Sequence, residues 1–435
     1  MSNLSSVNAS VSRVVNLLCL CLLLSLPSMA GRPDRFPILS RANPWDVGMD
    51  FQELNKGYAE IQKAIEEKAA PGAVVLIAKD GKIIRRRALG YAQLYSRPKG
   101  PVNTIEDFSK KRIRMRSSTI FDLASLTKVI VTTTCIMILK EERRVELDAP
   151  AGRYWPEFGH AGKDTVTIRH LLTHTSGLAL HSAYYDMAED KDEMLRLICE
   201  QELDAPPGYQ RVYSDVGFIV LGEIVEKVSK TRLDRFAEER IFAPLGMKDT
   251  GFRPGRKLRS RCAATEYSER LGRVMIGEVH DENAYFLGGI AGHAGLFSTA
   301  DDLAIFCQML LNGGGYGNVR ILQAETIGEM LTPQISTEAI ERGSAFLQGR
   351  GQLVGWWSMG PTVEVTAHGG LPSQRAYGHT GFTGTSIWVD PEHNVIAILL
   401  TNAIHPRRDT CNRERIRRAF YSSIWNAMGM QVQGE

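Results

Sequence analysis

The sequence predicts an α/β (α+β) fold. One antiparallel sheet, built from both ends of the chain and flanked by terminal helices, meets an all-helical region, with a site between the two. Three observations predict it. The chain opens with an amphipathic helix and a hairpin, its middle carries helix-period segments, and it closes on strands and a helix. On this reading residues 40–124 and 345–432 form the α/β sheet domain and residues 125–344 the mainly helical one.

At 435 residues and a net charge of +3, the chain is long enough for a large core in about two domains. Charges of both signs are spread along it, which gives no argument for nucleic acid as a partner. Residues 1–30 read as a signal peptide or membrane anchor. Met1–Arg13 has one positive charge and no acid, Val14–Leu26 is apolar, and Pro27-Ser28-Met29-Ala30 supplies small residues before a cut after Ala30. The expected location is the periplasm, with the chain either released or tethered to the inner membrane by an uncleaved N-terminal segment. The mature chain would keep Cys135, Cys199, Cys262, Cys307 and Cys411, an odd and scattered set that is no disulfide framework. No C-x-x-C is present, and no metal or cofactor is expected.

The elements follow in order. Ala42–Ala70 reads as a helix that starts at Asp50-Phe51-Gln52-Glu53-Leu54, with Leu54, Tyr58, Ile61 and Ile65 on one stripe. Pro71-Gly72 stops it. Ala73–Ala78 and Ile83–Tyr91 are strands joined at Asp80-Gly81, a strong hairpin signal. Residues 92–119 are polar and basic and read as a loop. Helices are expected over Asp164–Leu172, Lys191–Glu202, Val216–Val228, Asp234–Phe242, Ala300–Leu311 and Gln323–Leu331. Gln352–Met359, Gly378–Val389 and Asn394–Asn402 read as strands. Asn412–Met428 is an amphipathic helix whose Arg413, Arg415, Arg417 and Arg418 are expected on a solvated face.

Chemistry concentrates at Ser125-Leu126-Thr127-Lys128. A long apolar run without Pro or Gly follows, which reads as a buried helix. Residues i and i+3 share a face, so the Ser125 hydroxyl and the Lys128 amine can meet. Burial and the positive end of the helix dipole should depress the lysine pKa, leaving an amine able to take the serine proton. The Ser125 N–H at the helix start can stabilise an oxyanion. A second S-x-x-K at Ser96–Lys99 contains Pro98, which forbids that helix.

Two more stretches complete a candidate site. Tyr213-Ser214-Asp215 follows Pro206-Pro207-Gly208 and enters a helix, where a tyrosine near a lysine can act as base or proton relay. The plainer reading makes Asp215 an N-cap and leaves Tyr213 on the surface. His379-Thr380-Gly381 opens a strand. Gly381 would let a substrate backbone approach, and the Phe382 N–H would complete an oxyanion hole with that of Ser125.

These three elements in this order resemble the penicillin-recognising serine hydrolases, in particular the class C β-lactamase-like branch of low-molecular-mass penicillin-binding proteins, D-aminopeptidases and serine esterases. Leu171-Leu172-Thr173-His174-Thr175-Ser176-Gly177-Leu178 and Ala243-Pro244-Leu245-Gly246-Met247 resemble that branch as well. Val279-His280-Asp281-Glu282-Asn283-Ala284, the 288–298 stretch and Tyr377–Gly381 are similar to the D-alanyl-D-alanine carboxypeptidases of the enterobacterial envelope; muramyl-L-alanine amidases share the His-Asp-Glu-Asn stretch. His280 and His293 are expected near the cleft.

The resemblance implies a β-lactamase/transpeptidase-like fold and a Ser125 acyl-enzyme. Lys128 would be the base partner, Tyr213 the proton relay, and Asp215, His379, Thr380 and Gly381 the substrate-binding positions. The implied partners are peptidoglycan-derived peptides, with β-lactams as covalent ligands. The implied activity is serine-type D-Ala-D-Ala carboxypeptidase. The alternatives are N-acetylmuramyl-L-alanine amidase, a small-ester esterase, or a penicillin-binding sensor of low turnover. Two positions depart from the pattern. Asp215 stands where most relatives have Asn, and would favour a charged Lys128 and so leave Tyr213 as base. His379 stands where most have Lys, and a histidine is only partly charged near neutral pH.

Overall fold

Apolar alternation on the central strands decides which element covers which face of the sheet. In the computed structural model, which describes residues 35–100, 104–343, 350–359, 365–366, 368–410 and 412–430, Phe36–Glu435 form one compact unit. The expected targeting segment, residues 1–30, lies outside the described residues. Among the described residues no helix is long and apolar enough to cross a membrane.

Among the described residues the main sheet has nine strands: β1 (Ser40–Arg41), β2 (Gly72–Lys79), β3 (Lys82–Pro98), β4 (Phe108–Arg114), β5 (Gly351–Gln352), β6 (Trp357–Ser358), β7 (Tyr377–Thr380), β8 (Ser386–Asp390) and β9 (Val395–Thr401). Their order is β1-β3-β2-β9-β8-β7-β6-β5, with β4 on β3. Every pair is antiparallel except β1 with β3. Both ends of the chain thus meet at the β2–β9 pair, where Leu76 faces Ile398.

The central strands are buried on both faces, which explains their unbroken apolar runs. Val74, Leu76 and Ala78 point into the core shared with the helical region. Ala73, Val75 and Ile77 point the other way, toward α1 (Phe51–Glu66) and the C-terminal helix Arg413–Ala427. Asp50 caps α1 by accepting the Gln52 and Glu53 N–H groups. The helical region includes α2 (Asp215–Ser229) and α3 (Ala300–Leu311), both with apolar faces in the first core. The C-terminal helix is α4.

Gln352–Met359, expected as one strand, is split into the antiparallel pair β5 and β6, and two further expectations are corrected. Residues 92–119 are not a loop throughout: β3 runs on to Pro98, and β4 pairs with it. The Lys and Arg residues that suggested a loop are the charges an edge strand carries against further pairing. Gly378–Val389 is two strands rather than one, because the chain turns over Gly381–Thr385 between β7 and β8, with Gly384 at φ 108°.

Candidate active site

Ser125 is delivered by a turn tied down on every side. Asp122 ends a short strand paired with Leu296–Ser298. Its buried carboxylate accepts the Ala124 N–H at 2.9 Å and the His280 N–H at 2.7 Å. That local bond holds Ala124 at φ 47°, a left-handed conformation costing a non-glycine residue about 1–2 kcal/mol. Thr383 and Thr385, in the β7–β8 turn, donate their hydroxyls to the Asp122 and Leu123 carbonyls at 2.7 and 3.2 Å. Thr127 donates to the Ala124 carbonyl at 2.7 Å. The helix that follows is a π-helix over Lys128–Thr133 before it becomes α-helical over Thr134–Glu141. Widened turns of this kind recur at functional sites, and the β-branched run Val-Ile-Val-Thr-Thr-Thr holds helical shape here through burial rather than propensity.

Lys128 is fully buried, and its Nζ donates to Ser125 Oγ at 3.1 Å, Asp215 Oδ1 at 2.6 Å and the His293 carbonyl at 3.2 Å. These acceptors suit a protonated lysine, which can only donate. Burial alone would lower the lysine pKa, but the Asp215 carboxylate and Tyr213 outweigh it and hold the ammonium above its ordinary value. The expected depression is therefore reversed, because Asp215 supplies a full negative charge at contact distance. Burial would likewise raise the Asp215 carboxyl, yet the Lys128 ammonium holds it far below the usual carboxylate range.

Asp215 is the first residue of α2, but the cap is Ser214, whose hydroxyl accepts the Gly217 N–H at 3.1 Å. The Asp215 side chain turns to Lys128 instead, and its Oδ2 lies 3.6 Å from His181 Nδ1. Tyr213 is buried rather than on the surface. Its ring lies between His174, with centroids 4.5 Å apart, and His379, at 5.9 Å, and its hydroxyl interacts with Lys128 and Ser125. Burial raises the phenol pKa despite the nearby lysine. His174 is kept neutral by burial and by Lys128, its pKa pushed down to about 3, and its Nδ1 accepts the Ser214 N–H at 3.0 Å.

The His293 carbonyl reaches Lys128 because Gly292 lies directly on α2: a Cβ there would sit 2.0 Å from the Phe218 carbonyl oxygen. The His293 ring does not enter the cleft. Its Nε2 pairs with Asp281 at 2.7 Å.

A cavity of about 600 Å³ opens above Ser125, with Tyr213, Asp215 and His181 on one wall and Thr380, Gly381 and Phe382 on another. Ser125 and Phe382, whose backbones were expected to form the oxyanion hole, line the same cavity. His379 lies behind the wall. It is fully buried, bonded through Nδ1 to the Thr380 carbonyl at 2.8 Å and stacked on Trp357 at 4.0 Å. Burial and Lys128 push its pKa well below the usual imidazole value, so it is a neutral ring, not a cation presented to substrate. Gly381 also differs from expectation. A Cβ there would lie 2.3 Å from the Leu123 carbonyl oxygen, so the glycine is required by the nucleophile turn.

Sequence reasoning missed the far wall. Arg413 and Arg417 of α4 line the cavity, and Arg417 is buried, bonded to the Thr385 and Gly381 carbonyls at 3.1 and 3.3 Å. The solvated-face expectation holds for Arg415, paired with Glu67 at the surface, but not for these two. Arg413 also bonds the Phe382 carbonyl and sits over the Phe382 ring at 4.7 Å. His181 and Trp357 were likewise not singled out, since nothing in their local sequence marks them, and His174 was noted only as part of the Leu171–Leu178 stretch, without a role. Among the described residues there is no cluster of metal-ligating side chains.

A family model described as Beta-lactamase matches residues 59–420. A protein of Escherichia coli (strain K12) named "Putative D-alanyl-D-alanine carboxypeptidase" is 33% identical over 398 residues, covering 85% of this chain and 87% of that protein. Among solved structures, "EstCE1, a hydrolase with promiscuous acyltransferase activity" is similar at TM-score 0.64 and 25% identity, over 85% of this chain and 99% of its own. A penicillin-binding protein homolog from Caulobacter crescentus is similar at TM-score 0.64 and 19% identity, over 86% of this chain and 99% of its own, which is a likeness of fold.

Proposed function

Because the chain belongs to the beta-lactamase family of serine hydrolases, we propose that it is a D-alanyl-D-alanine carboxypeptidase of cell-wall peptides, working through an acyl-enzyme on Ser125. The observation that carries this reading is one cavity holding Ser125, bonded to Lys128, opposite a wall that bears Arg413 and Arg417. Ser125 Oγ attacks the penultimate carbonyl carbon. Once the Lys128–Tyr213 pair has given up one proton it takes that of Ser125, and Tyr213 hands a proton to the departing amine. The Ser125 and Phe382 N–H groups receive the oxyanion. Thr380 and Gly381 edge the substrate channel, and Asp215 sets the charge of Lys128 rather than donating to a substrate carbonyl, since an ionised carboxylate only accepts.

The terminal carboxylate of such a peptide needs a cation. His379 is neutral and recessed, so that role falls to Arg413, whose guanidinium can meet a carboxylate through two N–H groups. β-Lactams are expected as covalent ligands of the same serine. The apolar N-terminal run supports a periplasmic location.

One observation favours a second reading, a small-ester esterase: His379 is neutral and presents no cation to a substrate, and EstCE1, a hydrolase with promiscuous acyltransferase activity, is similar at 25% identity. Mass spectrometry of a muramyl-pentapeptide incubated with the protein separates the readings. Loss of one alanine supports the carboxypeptidase. Release of the whole peptide from the sugar would replace it with an amidase, and an untouched peptide with turnover of nitrophenyl esters would replace it with an esterase.

A further inference from the structure

Hydrolysis of an acyl-serine needs a base for water, and the resting Lys128 and Tyr213 both hold their protons. From the geometry around Asp215 we propose that His181 is the general base that activates the deacylating water. The inference rests on the Ser125 acyl-enzyme proposed above. His181 and Ser125 line the same cavity, and the His181 side chain keeps 40% of its surface exposed there. Asp215 joins the two halves: one carboxylate oxygen contacts Lys128 at 2.6 Å, and the other faces His181 Nδ1 at 3.6 Å. A carboxylate on one ring nitrogen orients an imidazole so that the other nitrogen can act on a substrate-side proton.

The loop bearing His181 is fixed from both ends. The Asp215 N–H donates to the Leu180 carbonyl at 3.0 Å, and Ser214 Oγ donates to the Ala179 carbonyl at 2.7 Å. On the other side, Asn283 Nδ2 donates to the Ser182 carbonyl at 2.8 Å. The backbone on either side of the ring is therefore bonded to the segments that carry Asp215 and Asp281. These backbone bonds fix where the His181 ring stands relative to Asp215.

The step balances. Water oxygen bonds to the acyl carbon as its proton passes to His181 Nε2. The bond from the acyl carbon to Ser125 Oγ then breaks, and the Lys128 ammonium returns a proton to that oxygen. The Nδ1 proton of His181 then passes through Asp215 to Lys128, and proton exchange with solvent returns the ring from its Nε2–H to its resting Nδ1–H form. Asp215 is therefore a positioning and relay residue, whereas His181 touches the reacting water. The groups facing His181 are Asp215, Asp281 and Glu282, all negative, with Arg408 across the same cavity; Asp215 foremost raises the imidazole pKa above its ordinary value.

The test isolates the acyl-enzyme made from p-nitrophenyl acetate by rapid desalting and follows its decay by intact-protein mass spectrometry. For His181→Gln, the nitrophenolate burst should persist while the adduct decays about 10²–10⁴-fold more slowly. The wild-type decay rate should rise through an imidazole titration that the variant lacks, and added imidazole should restore decay in His181→Ala. Decay at the wild-type rate in both variants would overturn the inference, as would equal loss of burst and decay in both. Absence of any Ser125 adduct in the wild type would instead overturn the acyl-enzyme reading on which this one stands.

Discussion

Asp215→Asn removes one negative charge and keeps the shape, so it tests how the proton is held beside Ser125. At an effective dielectric constant of 20, charges 2.6 Å apart attract by about 6 kcal/mol, part of which the desolvation of the buried pair offsets. A carboxylate this close moves a neighbouring pKa by about 1–3 units. Lys128 and Tyr213 share a site, so they titrate as a pair, and the first proton to leave belongs to the pair. Removing the Asp215 charge lowers that macroscopic pKa whichever side chain gives up the proton. Below it Ser125 has no base, and above it acylation proceeds. The sign follows: in the wild type acylation climbs toward alkaline pH, and in Asp215→Asn the same limb moves toward acid by about 1–3 pH units. Stopped-flow acylation by a nitrophenyl ester, taken from the carboxylate to the lysine titration range, reads it directly, with a thermal melt to confirm folding. A limb that stays in place, or moves to higher pH, would refute the charge argument.

Other outcomes follow from the same geometry. Ser125→Ala should abolish covalent labelling by a fluorescent penicillin while circular dichroism stays native; persistent labelling would move the nucleophile elsewhere. Arg413→Ala should raise KM about 10–100-fold for peptides ending in a free carboxylate and leave C-terminally amidated analogues unchanged, the loss of a charge-assisted contact of about 1.5–3 kcal/mol; His379→Gln, behind the wall, should leave that KM ratio near one. Gly381→Ala should cost about 1–3 kcal/mol of stability in a denaturant titration, because its methyl would press on the Leu123 carbonyl, and should slow acylation as well.

Much of this was legible in the sequence because local chemistry and fold agreed. The i+3 spacing of Ser125 and Lys128 survives even in a π-helical turn, ending as a 3.1 Å contact. Asp80-Gly81 makes the turn that its composition signals, with φ values of 52° and 71°. The failures share a cause. From its own helix alone Lys128 reads as a depressed amine, and only Asp215, 87 residues away and marked by its departure from the family pattern, decides that it is charged. His379 was read as a ligand from its place in a motif, whereas its burial is imposed by Trp357, on a neighbouring strand. The arginines of α4 look like any solvated basic stripe until the sheet brings the helix to the cavity. Period and turn chemistry report what a residue does within a few positions, and these three depend on chain segments far along the sequence.

The threonine bonds from the β7–β8 turn to the Asp122 and Leu123 carbonyls have a consequence for how such a site can diversify. They buckle the backbone of Ser125 to that of Phe382, so the gap in which a carbonyl must sit is gauged by main chain and two hydroxyls. The rim side chains Leu180, His368 and Phe382 make none of those bonds. Exchanging them would retune which molecule enters without recalibrating the chemistry beneath, so selectivity and reactivity can drift apart on separate clocks.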